Sequence, residues 1–164
     1  MFGKVRFTMT IIMVQLMDHQ KTLEALHFAG ALAHSRRGKV ALVKMVPVQH
    51  IGWLGTELGY ANFTDGDHKT LLENRAIAES YGVAVETRVF QYVSLADAIA
   101  DAADYVDAQV VFAALPHSVI PFRDRFGVWL LRRRLAQQDR KLYLLEHHRR
   151  SNQWTPTIFV PAAR

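Results

Sequence analysis

Residues 109–135 read QVVFAALPHSVIPFRDRFGVWLLRRRL: a short apolar strand, a loop flanked by Pro116 and Pro121, and an arginine-rich apolar helix. In an open α/β sheet the junction after such a strand is where a ligand sits. The residue types at this junction therefore carry the functional reading.

Upstream, Val5 to Leu16 is rich in β-branched and large apolar residues, and Ile11-Ile12-Met13-Val14 is apolar on both faces. A central strand covered by helices on both sides requires that pattern. After a polar break at Asp18-His19-Gln20-Lys21, a helix is predicted from about Thr22 to His34, with Leu26, Ala29, Leu32 and Ala33 on one arc. Arg36 and Arg37 near its end and Gly38 just beyond terminate it. Lys39 to Val46 is the second strand, stopped by Pro47. A loop of about seventeen residues follows, a length that in a compact domain marks a functional lid or a partner surface. Its Ile51, Trp53, Leu54 and Tyr60 favour a packed flap or an interface over a linker.

Asp65 to Tyr81 reads as the second helix, with Leu71, Leu72, Ala76 and Ile77 inward and Gly82 as its terminal cap. Val83 to Phe90 alternates and keeps one polar face, as an edge strand does. Ser94 is the capping residue of a third helix reaching about Tyr105 and burying Leu95, Ala98, Ile99 and Ala102. The helix after Pro121 and the strand Lys141 to Glu146 complete the alternation. Residues 1–147 thus form one domain, and 148–164 a tail whose Thr155 to Pro161 reads as an extra strand.

Five strands alternating with four helices predict an α/β fold. The sheet is doubly wound, mostly parallel and five-stranded, in the order 3-2-1-4-5, with helices on both faces. The winding direction then switches between the strand ending near Leu16 and the strand ending near Ala114. The expected crevice is formed by Met17, Asp18 and His19, by Val46 and Pro47, and by Ala114, Leu115, Pro116, His117 and Ser118.

Composition narrows the function. The chain has 164 residues, half of them apolar, which suits one ordinary globular domain. With no cysteine it has no disulfide and no thiolate chemistry, in keeping with the cytoplasm. The net charge of +5 favours anions in general, but the basic residues are too scattered for specific nucleic-acid binding. No apolar run approaches the roughly 18 residues a membrane span needs. The N-terminal MFGKVRFTMTIIMVQLM mimics a signal peptide yet lacks a small-x-small cleavage site, so it reads as a buried strand.

Ala25-Leu26-His27-Phe28-Ala29, Leu42 to Pro47 (LVKMVP) and Ser94 to Ile99 (SLADAI), taken in order and spacing, resemble the universal stress protein family over about residues 5 to 146. That resemblance implies a Rossmann-like domain that works by binding, as a homodimer pairing through the last strand, here Lys141 to Glu146. The tail Thr155 to Pro161 would extend or swap across that interface. The ATP-binding members carry an acidic residue after the first strand and a G-x2-G-x9-G-(S/T) motif after the fourth. The acidic position falls here on Met17, with Asp18 one residue late, and only Gly127 stands near the last glycine. Pro116 has no amide to give a phosphate, and Val119 and Ile120 crowd the place of the triphosphate. Arg123, Arg125 and His117 offer side-chain donors instead, and Ser118 adds a hydroxyl.

The leading expectation is a non-catalytic binding and regulatory protein with no cofactor. The alternatives are an ATP or AMP binder, or slow ATPase, and a soluble regulatory module of a membrane transporter. The cofactor candidates on the nucleotide reading are Met17, Asp18, Val46, Pro47, Ala114, Pro116, His117, Ser118, Arg125 and Gly127. Eight histidines are present, but none forms a ligand set with carboxylates at helical spacing, so no metal is expected. A catalytic serine is not expected either, because G-x-S-x-G is absent and His117 and Ser118 are merely neighbours in sequence. The helix after Pro121 carries two apolar stripes, Phe122, Phe126 and Trp129 on one side and Val128, Leu131 and Leu135 on the other. One stripe can face the sheet, and the second calls for the flap, the tail, another protein or a membrane surface to cover it.

Overall fold

The computed structural model describes residues 9–116, 121–146 and 155–159. Its elements run β1 (Ile11–Gln15), α1 (His19–Ser35), β2 (Lys39–Pro47), α2 (Asp65–Glu79), β3 (Ala84–Tyr92), α3 (Leu95–Tyr105), β4 (Val110–Ala113), α4 (Pro121–Gln137), β5 (Lys141–Glu146) and β6 (Thr155–Phe159). The sheet order is β3-β2-β1-β4-β5-β6, parallel from β3 to β5 as expected, with β6 antiparallel on β5. The strand-like tail therefore extends the sheet within its own chain, and the outer edge of β5 is already paired.

β1 lies at the centre because it is apolar on both sides. Met13 pairs in register with Ala41 and Val111 and packs with Ile99, Leu131 and Leu135 under α3 and α4. Ile12 and Val14 point the other way, into Leu26, Ala29, Leu42 and Phe112 under α1. Arg134 fixes the rotation of α4 against α3, donating to Asp97 at 3.0 Å and Asp101 at 2.7 Å, one turn apart on α3. The Asp101 bond, with Asp97 behind it, raises the Arg134 pKa above its ordinary value.

Several elements differ from expectation in their ends or phase. α1 begins at His19, because the Asp18 carboxylate accepts from the Lys21 amide at 3.0 Å and serves as the N-cap. The polar break is thus the helix start. In α2 the buried residues are Leu71, Asn74 and Ala78, while Leu72 and Ala76 face outward. Asn74 is accommodated because its amide donates to the Thr70 carbonyl at 2.9 Å. Ser94 occupies the N-cap position of α3 without a side-chain capping bond. β3 is an edge strand, as its alternation predicts, and continues two residues beyond Phe90.

The segment after Pro47 forms two short 3-10 turns, Ile51–Trp53 and Glu57–Tyr60. Gln91 pins them to β3: its amide oxygen accepts from Gly55 N and its amide nitrogen donates to Thr56 O, each at 2.7 Å. Trp53 is half-buried, whereas Ile51, Leu54 and Tyr60 remain exposed.

The turn from α1 into β2 divides two roles that the sequence assigns to one residue. Arg37, not Gly38, takes the positive φ of 51°. Gly38 is required by space, since a Cβ there would run into the Thr10 carbonyl. Gly38→Ala is expected to destabilise the fold by more than about 1 kcal/mol, and Arg37→Gly to be neutral or stabilising by up to about 1 kcal/mol, both read from denaturant midpoints.

At the start of α2, Thr64 and Asp67 form a reciprocal capping box, and Lys44 lies 3.0 Å from the Asp67 carboxylate. The Thr64 amide, followed by Lys44, lowers the Asp67 pKa to about 2. A carboxyl lowered in this way stabilises the fold fully above its unfolded value near 3.8 and loses that contribution as pH falls toward 2. The stability gap between wild type and Asp67→Asn should be widest above about pH 5 and close at about pH 2, measured by urea unfolding across pH.

Candidate functional site

β1 and β4 are neighbours whose connections leave on opposite faces, β1 to α1 and β4 to α4. The chain ends diverge there and leave a crevice of about 260 Å³ above the carboxyl ends of the strands. Gln15 closes its floor: only 5% exposed, it accepts from the Ala114 amide at 3.1 Å through its side-chain oxygen. Because a backbone N–H can donate only to the amide oxygen, the NH₂ end of Gln15 is left as a donor on the crevice lining.

Met17 and Asp18 form one wall, Met45, Tyr92 and Leu95 the opposite one, and Ala114, Leu115 and Pro116 the third. Burial raises the Tyr92 pKa, so its hydroxyl stays a neutral donor and acceptor. Partial burial pushes the Asp18 carboxyl up, but the bond from the Lys21 amide and its ion pair with the Lys21 ammonium at 3.1 Å outweigh it and hold the pKa below the ordinary value. The Met17 amide is also engaged, donating to the Thr22 hydroxyl at 2.9 Å.

Past Tyr92, Leu115 and Pro116 the crevice opens into a lobe of about 580 Å³ beneath one side of α4, where Arg123, Phe126, Gly127 and Leu130 face Ser94 and Leu95 of the opposite wall. Gly127 lies in the second turn of α4, where helical geometry commits its N–H to the residue four before it. A Cβ at Gly127 would make only ordinary contact with Leu115. Neither the amide nor the space at Gly127 is set aside for a phosphate.

Of the sequence candidates, the structure gathers Met17, Asp18, Ala114 and Pro116 at the crevice and Gly127 in its lobe. Val46 is buried and turned away, its place on the lining taken by Met45, and Pro47 is exposed with its carbonyl accepting from Asn62. Arg125 lies on a separate cleft toward β5. His117 and Ser118 fall outside the described residues. Sequence reasoning misses Gln15, Lys21, Met45, Tyr92 and Leu95. Gln15 had a signal, as a lone amide closing an otherwise apolar central strand.

Among the described residues no three histidines or carboxylates come together to hold a metal, and no helix is long and apolar enough to cross a membrane. Phe122, Phe126 and Trp129 are 80%, 60% and 50% exposed, so the pinned flap does not cover that stripe.

No family model and no curated protein matches the sequence. Solved structures do match. A universal stress protein in complex with cAMP aligns over 85% of this chain and 98% of its own, at 16% identity and a TM-score of 0.60. A universal stress family protein from Burkholderia pseudomallei aligns over 84% and 96%, at 18% identity and 0.59. The Archaeoglobus fulgidus universal stress protein in complex with dAMP aligns over 84% and 98%, at 20% identity and 0.52. The strand order, the switch point and these alignments agree that the chain has the fold of the universal stress proteins.

Proposed function

We propose that the protein is a universal-stress-like binding and regulatory module that takes a nucleoside monophosphate in the switch-point crevice without turning it over. The observation that carries this reading is the state of Asp18. It is the one carboxylate among the described residues lining the crevice proper, Asp124 standing in the adjoining lobe, and its oxygens are already engaged by the amide and ammonium of Lys21. A capped, ion-paired carboxylate of lowered pKa is a poor general base.

What remains suits recognition. Met45, Leu95 and Leu115 offer apolar walls to a flat base, while the Gln15 amide and Tyr92 hydroxyl offer hydrogen bonds to its edge or to a ribose. A single phosphate would reach toward Arg123 in the adjoining lobe. A triphosphate fits poorly, since Pro116 and Pro121 lack amides and Gly127 spends its own inside α4. The solved complexes of the same fold with cAMP and dAMP support this class of ligand.

Calorimetric titration with AMP, cAMP, dAMP and ATP, with and without magnesium, tests the reading. A monophosphate should bind saturably and at least as tightly as ATP, with no phosphate released, and Tyr92→Phe should weaken it by roughly three- to tenfold. Silence with all three monophosphates at millimolar concentration would reject the ligand class, and steady release of phosphate from ATP would reject the absence of turnover.

Assembly as a homodimer would run along β6, because β6 already occupies the β5 edge. Deleting residues 147–164 bares that edge, and light scattering should then report larger species than the full chain forms. An unchanged size distribution would remove β6 from the assembly.

A further inference from the structure

α3 and α4 pack on the same face of the sheet, and to either side of α3 the outer surface carries a ridge and a groove of complementary character. The ridge is the outward line of α4, where Phe122, Phe126 and Trp129 stand exposed at i, i+4 and i+7. Arg123, Arg125 and Arg133 are exposed around it and make no ion pair with another described residue, Arg133 lying over the Trp129 ring instead. Asp124, the single carboxylate of α4, and Arg132 already have partners and add nothing to this balance. The groove, of about 510 Å³, lies between α3 and the segment after Pro47. Phe90, Val93 and Ala98 line it together with Leu54 and Tyr60, and Asp97 and Asp101 border it. Each of these two carboxylates gives Oδ1 to Arg134, so one guanidinium serves both and their Oδ2 atoms stay open to another donor. Asp104 and Asp107, further along, share Arg140 in the same way.

We propose that the ridge of one copy seats in the groove of a second copy, about a twofold axis through α3, with the aromatic rings on the apolar lining and Arg123 and Arg125 on the open Oδ2 atoms of Asp97 and Asp101. Because ridge and groove stand on one surface to either side of one helix, a twofold makes the contact twice and closes the pair. The aspartates of α3 select the partner. An anionic lipid surface would attract the α4 arginines and repel the α3 row beside them, whereas a second copy offers the opposite sign to each. The same seating removes from water an aromatic stripe that the chain's own flap leaves bare. β6 closes the far end of the sheet from this groove, so the contact does not involve it.

The chain has no cysteine, so an introduced pair reports on the contact alone. Phe126→Cys and Leu54→Cys, made as separate full-length proteins, mixed and oxidised, should form a disulfide-linked mixed dimer on a non-reducing gel, at least about tenfold more than either protein forms by itself. Adding Arg125→Glu to the Phe126→Cys protein should cut the mixed product at least about threefold, with an unchanged circular dichroism spectrum. Arg36→Glu, at the end of α1 on the opposite face of the sheet, should leave the yield as it was. No mixed product between folded proteins, or an equal loss with Arg36→Glu and Arg125→Glu, would overturn the assignment. So would sedimentation of the wild type with phosphatidylglycerol vesicles that Phe122→Ser abolishes, in the absence of the mixed dimer.

Discussion

The burial of β1 on both faces is the constraint from which the rest of this structure follows. Ile12, Met13 and Val14 are fully enclosed, with β2 bonded on one side and β4 on the other. A strand so placed can carry no polar side chain along its length without leaving that group unsatisfied. The first polar residue, Gln15, therefore comes where the strand ends, and the Ala114 amide freed by the divergence of β4 satisfies it. The crevice begins at that bond because the sheet can continue no further there.

The same logic explains which parts of the fold could be read from residues alone. Strand identity and order were legible because an apolar strand has a period of two and a doubly buried strand has none, and both patterns survive without tertiary information. The phase of a helix is less secure. Of the inward face read for α2 at Leu71, Leu72, Ala76 and Ile77, Leu71 is buried and Ile77 packs on the core, while Asn74 and Ala78 take the places of Leu72 and Ala76, the Asn74 amide bonding its own helix backbone. The start of α1 was hidden by reading Asp18 to Lys21 as a break, although an aspartate three residues before a backbone donor is a capping signal in its own right.

The site was legible in place and only partly in content. The switch point follows from topology, so the crevice is expected at Met17, Asp18, Ala114, Leu115 and Pro116, and these residues line it. Tyr92 was missed because β3 was ended at Phe90, and one further alternation places Tyr92 on the same side as Phe90, over the crevice. Met45 was missed for its neighbour Val46, an error of one residue that a strand turns into opposite faces. Arg123 and Arg125 read alike in the sequence, as side-chain donors in place of missing amides, and only the rotation of α4 separates them, Arg123 to the crevice lobe and Arg125 to the cleft toward β5.

That rotation is set by few groups. Leu131 and Leu135 are fully buried against the sheet, and Arg134 bridges to both Asp97 and Asp101 of α3, so α4 has no freedom to roll. With the buried line fixed, helical geometry sends Arg123, Gly127 and Leu130 to one flank and Arg125, Trp129 and Arg132 to the other. The helix after Pro121 thereby becomes a partition with a cleft on each side. Its exposed Phe122, Phe126 and Trp129 follow from that geometry, for a helix lining two clefts must turn the ridge between them outward.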